Sequence, residues 1–231
     1  MASLPDTLRR QLEKAVVAAR DVAEVGARAA IERLAVGRSA PFAEMAPAER
    51  ELRVQLRAHA SQLGDQRKAN GEQGIQRVVV ECAYEHWHRM LFARFLAENR
   101  LLIHPEHGVP VTLGECEELA AQGGEKDGWR LAGRFAARML PAIFRPDDPV
   151  LSVRLAPEHQ QALEALLAGL PAEVFIADDS LGWVYQFWQT KRKQEVNESE
   201  KKIGSDELPA VTQLFTEPYM VQFLLHNTLG A

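Results

Sequence analysis

The sequence predicts a mainly α-helical protein, and three observations carry that prediction. Nearly every long segment repeats apolar residues at i, i+3, i+4 and i+7, the period of a helix with one face on a core. Strand-like alternation is scarce, and the periodic segments are separated by helix-stopping stretches such as RSAPF, LGDQRKANGEQG, IHPEHGVP and RPDDP. The 231 residues are 46% hydrophobic and 26% charged, an ordinary globular balance that can bury a substantial core without disulfide or metal staples.

The elements follow in order. Asp6 or Thr7 can cap an alanine-rich helix running to about Val36, where RSAPF breaks it. A second helix begins near Pro47, with Leu52, Leu56 and Leu63 near one face and arginines on the others, and it ends in a glycine-rich connector. From Ile75 to about Asn99 a broad apolar stripe marks the core helix. TLGE reads as a capping box: Thr112 accepts from the backbone three residues on and Glu115 reaches back, opening a short helix that stops at Gly123. A further helix spans about Gly128 to Phe144, and Pro157 and Gly169 bracket another. Val150 to Leu155 is the best strand candidate. Then an aromatic helix runs into a charged stretch, and an apolar helix closes the sequence. The expected organisation is an amino-terminal helical segment over 1–70, a central helical core over 71–177, and an aromatic and charged helix with its connector over 178–231.

Several chemistries are excluded or demoted. No stretch reaches the ~18 apolar residues of a membrane helix, and MASLPDTLRRQLEK lacks a secretory core, so no membrane and a cytoplasmic location are expected. Cys82 and Cys116 are far apart inside helical patterns and read as reduced, buried thiols. The net charge of -5 argues against whole-surface nucleic-acid binding and leaves room for a local basic patch. CAYEHWH places Cys82 and His86 on one helix face, and HPEH adds His104 and His107, but no closed-site spacing accompanies them, so no metal site is assigned. Glu200 and Lys202 form a Glu-x-Lys pair downstream of Asp147, in a charged run rather than on adjacent strands, and read as a solvated face. No nucleophile elbow or phosphate-binding glycine loop occurs, and no catalytic residue is assigned. Trp183, Tyr185, Phe187 and Trp188 precede the basic run Lys191, Arg192 and Lys193. Helical packing explains most of the aromatics, while the three cations are candidates for DNA-backbone phosphates.

The closing segment is the most specific. Thr216 can cap a helix entered through Glu217 and Pro218, and YMVQFLLHNTLG carries apolar residues on more than one face, as a helix between two bodies would. Its exposed amides and positive dipole end make a seat for a carboxylate. TQLFTEPYMVQFLLHNTLG resembles the segment that precedes the S-adenosylmethionine motif in N6-adenine DNA methyltransferases, where a Phe-Thr-Pro-like turn opens a helix touching the methionine end of the cofactor. The likeness extends back through DDSLGWVYQFWQTKRKQEVNESEKKIGSDELPAVTQLFT and more loosely to YEHWHRMLFARFLAENRLLIHPEHGVP. Together these resemble the amino-terminal region of the large adenine methyltransferases of BREX and phage-growth-limitation defence systems and their restriction-modification relatives.

That resemblance implies cofactor contact at Phe215 and Thr216, with Gln213 just before them. Glu217 stands where many relatives have proline directly after threonine. The family's glycine-rich Asp-Pro-x-x-Gly-Ser-Gly loop and its Asn-Pro-Pro-Tyr motif do not occur in these residues. The expectation is therefore a non-catalytic, helical amino-terminal part of a longer S-adenosylmethionine-dependent enzyme, ending in the helix that leads into an absent Rossmann-like sheet. DNA and defence-system proteins are the expected partners. A second class stays open: a stand-alone α-helical interaction module with no cofactor.

Overall fold

A computed structural model describes residues 3–123, 127–199, 204, 208–212, 215–216 and 218–228. The chain is mainly helical, as expected, and the described residues contain only two isolated β-bridges, Arg67 with Gln73 and Ile103 with Pro110. The helices are α1 (Asp6–Arg33), α2 (Pro47–Gln62), α3 (Gln76–Glu98), α4 (Leu113–Gln122), α5 (Gly128–Met139), α6 (Pro141–Phe144), α7 (Pro157–Ala168), α8 (Glu173–Ile176), α9 (Ser180–Glu198), α10 (Leu208–Thr212) and α11 (Pro218–Thr228). They fall into two compact units, one formed by residues 1–18 and 168–231, the other by 19–167.

The 19–167 unit is built around α3. Val78, Val79, Cys82, Ala83, Trp87, Met90, Leu91 and Leu96 are buried along it, so apolar surface meets neighbours on several sides of one helix. One core cluster joins Ala93 and Leu96 of α3 to Cys116 and Ala120 of α4, Leu131 and Phe135 of α5, and Phe144. Helix α4 opens with the reciprocal capping box: Glu115 N–H donates to Thr112 Oγ1 at 3.2 Å, and Thr112 N–H donates to Glu115 Oε2 at 2.7 Å. The expected single helix from Gly128 to Phe144 is instead α5 and α6, broken where Pro141 removes an amide donor and disfavours a helical Leu140.

Two other expectations are corrected. The segment from Val150 to Leu155 is not a strand. Pro149 starts a 3-10 turn at Pro149–Ser152, and Asp148 accepts from the Val150 amide at 3.1 Å. On α2 the arginines are not all solvent-facing. Arg53 and Arg57 are only 7% and 8% exposed. Arg53 Nε donates to Ala35 O at 2.9 Å, while Arg57 donates to Val36 O at 2.6 Å and Gly71 O at 2.8 Å. The chain leaves α1 through a left-handed Ala35, and these guanidinium groups satisfy carbonyls that the turn exposes.

In the other unit α9 carries the core. Phe187, Trp188 and Val196 are buried on it, with Val174 and Phe175 of α8 buried nearby in sequence. Buried Asp179 accepts from the Leu4 amide at 2.7 Å and from Trp183 Nε1 at 3.0 Å, tying the amino-terminal segment to the start of α9.

Candidate functional site

The turn before α11 is held by an aromatic seat on α9. Gly182 presents bare backbone there, and the Phe215 ring lies directly over it. A Cβ at Gly182 would sit 2.7 Å from Phe215 Cζ and closer still to two other ring atoms. Trp183 meets Phe215 edge to face at 5.2 Å between centroids and also stacks with Phe187 at 5.5 Å. The Arg9 guanidinium lies 4.8 Å from the Trp183 ring centroid. Gln186, one turn along the same helix, accepts the Phe215 amide at 2.9 Å. Backbone and ring of Phe215 are thus fixed together.

Thr216 follows and is exposed. Gln213 and Glu217 lie outside the described residues. Beyond them every described side chain of α11 from Tyr219 to Thr228 is exposed, with Phe223 at 67% and Leu224 at 57%. A short apolar helix therefore follows an anchored turn, with its described side chains from Tyr219 to Thr228 exposed.

Lys191, Arg192 and Lys193 are half-buried on α9. Arg192 pairs with Glu195 at 3.4 Å, and Glu198 follows on the same helix. The basic run is accordingly followed within two turns by acids. Glu200 and Lys202 lie outside the described residues.

The histidines of CAYEHWH are engaged in packing. His86 Nε2 lies 3.1 Å from Val150 O, and Cys82 Sγ donates to the same carbonyl at 3.8 Å, so both hold the 3-10 turn against α3. Burial drives the His86 pKa down to about 4 and the Cys82 thiol up to about 12, leaving both neutral near pH 7. Burial likewise raises Cys116 to about 11. His88 stacks on Tyr84 at 5.3 Å, and His104 on His107 at 4.4 Å.

Periodicity gave no sign of a charged knot in the 19–167 unit. Arg145, in a left-handed conformation after α6, donates to Glu85 at 2.6 Å and lies 3.3 Å from Asp148 and 3.6 Å from Glu81. His59 completes the group at 2.6 Å from Glu81. His59, Glu81 and Asp148 could offer three ligand atoms to a cation within 4.8 Å of one another. With Arg145 already among the carboxylates, the group acts as a lock joining α2, α3 and the loop after α6.

This architecture, a helical body ending in an anchored Phe-Thr turn and an uncovered apolar helix, is homologous over part of its length to adenine-specific methyltransferases. Over 191 residues, 69% of the chain, it is 27% identical to the adenine-specific methyltransferase BrxX of Escherichia coli O9:H4 (strain HS). Over 97 residues, 39% of the chain, it is 31% identical to the adenine-specific methyltransferase PglX of Lacticaseibacillus casei (strain Zhang). The chain spans a minor part of these relatives, the matched stretches covering 16% of the first and 8% of the second. No family model matches the chain, and no solved structure matches it. None of the described helices is long and apolar enough to cross a membrane.

Proposed function

We propose that this chain is a helical, non-catalytic domain of an S-adenosylmethionine-dependent adenine-N6 DNA methyltransferase of the BREX or phage-growth-limitation kind, acting in the cytoplasm. The observation that carries the reading is the anchored turn: Phe215 is held by backbone and ring on α9, which leaves Thr216 and the start of α11 facing outward. Supporting it are the homology to BrxX and PglX and the apolar character of α11.

In this reading Phe215, Thr216 and Gln213 stand at the edge of the cofactor pocket. Phe215 sets the position of the turn. Thr216 contributes a hydroxyl, and the first turn of α11 contributes the positive end of its dipole toward the methionine carboxylate. When bound, S-adenosylmethionine supplies the methyl group. Lys191, Arg192 and Lys193 stand as phosphate contacts on DNA, and adenine reaches the catalytic domain as a flipped base. α11 lies against the sheet of that domain.

The deciding experiment sequences the native locus past the codon for Ala231 and assays the complete product for methyl transfer to adenine in duplex DNA. A frame carrying the glycine-rich cofactor loop and an Asn-Pro-Pro-aromatic motif, with S-adenosylmethionine-dependent methylation, is the expected result. A frame without them refutes the reading.

The exposed apolar face of α11 also favours a second reading, a helical interaction module whose α11 docks a partner protein without any cofactor. Under it, the 231-residue chain self-associates or captures its partner through Phe223 and Leu224, and aspartate at either position abolishes the association.

A further inference from the structure

Asp179 stands at the N-cap of α9, where an aspartate ordinarily accepts the free amides of the first helical turn, yet its side chain makes no such bond. Both of its oxygens are committed elsewhere. Oδ1 accepts the Leu4 amide at 2.7 Å, and Oδ2 accepts Trp183 Nε1 at 3.0 Å. Asp179 and Leu4 are each 4% exposed, so a buried side chain joins two segments 175 residues apart. Both partners are N–H donors. The position therefore calls for two acceptors and no donor, which a carboxylate supplies and a carboxamide does not.

What this joint fixes is the Trp183 ring. Asp179 holds its nitrogen, Phe187 stacks on it at 5.5 Å, and the Arg9 guanidinium lies 4.8 Å from its centroid. Arg9 is itself paired with Asp6 at 2.7 Å. A ring restrained in this way presents a defined surface to its next neighbour, and that neighbour is Phe215, met at an interplanar angle of 64°. Gln186 holds the Phe215 backbone, and the exposed Thr216 follows. Two contacts, Asp179 to Trp183 and Trp183 to Phe215, thus separate the buried carboxylate from the turn. Every group named lies in the unit formed by residues 1–18 and 168–231.

We infer that Asp179 is a positioning residue for the cofactor turn, acting through the Trp183 indole, and that the amino-terminal segment at Leu4 and Arg9 braces the same seat. The inference rests on the reading of Phe215 and Thr216 as the edge of the cofactor pocket. It assigns a role to residues far from that pocket in sequence, and to an aspartate whose place at a helix start would otherwise mark it as a cap. Asp179 touches neither cofactor nor substrate in this arrangement. Its effect is on where the turn stands, and so on cofactor affinity rather than on the chemical step.

Two variants test it. Asp179→Asn keeps the size of the side chain but sets an NH2 group against one of the two donors. Trp183→Phe removes the indole N–H and leaves the Leu4 bond to Asp179 in place. In the complete enzyme each is expected to raise KM for S-adenosylmethionine on the order of tenfold, the scale of one lost charge-assisted hydrogen bond, with kcat and the KM for duplex DNA held within about twofold. A role confined to folding would instead lower the active fraction, and with it the apparent kcat, at unchanged KM. In the 231-residue chain the Phe215 amide should exchange roughly tenfold faster in both variants, while the amides of α3 keep their protection and show that the protein is folded. Unchanged Phe215 exchange in the folded variants overturns the inference. So does faster exchange with an unchanged KM for S-adenosylmethionine. If Asp179→Asn does not fold, Trp183→Phe decides alone. A wild-type complete protein that neither binds S-adenosylmethionine nor methylates adenine refutes the methyltransferase reading instead, and Phe215 exchange then still decides whether Asp179 holds the turn.

Discussion

Replacing Gly182 by Ala tests the anchored turn directly. The new Cβ would fall 2.7 Å from Phe215 Cζ and nearer to two other ring carbons, so the ring must leave α9. Three contributions go with it. A half-buried Phe contributes about 1 kcal/mol by area, its edge-to-face pair with Trp183 about 0.5–1.5 kcal/mol, and the Phe215 amide bond to Gln186 about 1 kcal/mol. Docking of the turn therefore weakens by about 3 kcal/mol. Ala in place of Gly within α9 returns about 1 kcal/mol through helix propensity. The net loss of about 2 kcal/mol corresponds to roughly 30-fold greater opening of the turn, since 1.4 kcal/mol is tenfold. Hydrogen exchange at the Phe215 amide reads that opening, and Trp183 fluorescence reports loss of the facing ring. Gly114→Ala is the matched control, because nothing lies within 4 Å of a Cβ there, and it should be neutral or stabilising. Unchanged Phe215 protection and unchanged Trp183 emission in Gly182→Ala would refute the seat.

Arg145→Met leaves Glu85, Glu81 and Asp148 facing one another, and because the Arg145 side chain is 46% exposed the loss at pH 7 should be about 1–2 kcal/mol, below the 3–5 kcal/mol of a fully buried pair. Burial raises the Glu85 pKa and Arg145 opposes the rise, so this group stabilises the fold below the unfolded carboxylate range and loses that contribution as pH rises through the folded value. The melting deficit of Arg145→Met should accordingly be largest near pH 7 and shrink as pH falls through the Glu85 titration, and a pH-independent deficit would contradict the sign. Phe223→Asp, at a 67% exposed position, should leave the melting of the 231-residue chain within about 0.5 kcal/mol while lowering the stability of the complete enzyme, as differential scanning of both proteins would show. Changing Lys191, Arg192 and Lys193 to Ala in the complete enzyme should lower DNA affinity and its salt slope if they meet phosphates, and an unaltered slope removes them from the interface.

Local chemistry made much of the helical frame legible. Pro47 and Pro157 begin helices because their missing amide is needed by no carbonyl at a first turn, and the Thr112 and Glu115 box is complete within four residues. What escaped the sequence was set by distant residues. Val150 looked like a strand residue because it is β-branched and apolar, yet Pro149 turns the chain and His86 and Cys82 secure the Val150 carbonyl from more than sixty residues away. Arg53 and Arg57 occupy polar positions of an amphipathic pattern, and only the left-handed turn at Ala35 explains their burial. The sequence named Phe215 and Thr216 through resemblance alone, and nothing in it singled out Gly182, whose part depends on the ring that lies above it.

The turn and the helix after it have opposite energetics, and the contrast bears on how a methyltransferase would use them. Phe215 is secured by a hydrogen bond and an aromatic cluster, whereas α11 has eleven residues and exposes every described side chain from Tyr219 onward. Helices shorter than about 12–15 residues are marginal in water, and most helical stability in proteins comes from packing an apolar face. On the proposed reading α11 would therefore gain its stability from the body that covers it. Covering both faces would fix the direction of the helix, while the anchored turn fixes its starting point, so that Thr216 and the first amides are held only when the two bodies are assembled. The amides of α11 should exchange at least tenfold faster in the 231-residue chain than in the complete enzyme, while the Phe215 amide exchanges at similar rates in both. Equal protection of α11 in the two proteins would mean that the helix is self-supporting, and the division between a permanent anchor and an assembly-dependent helix would fail.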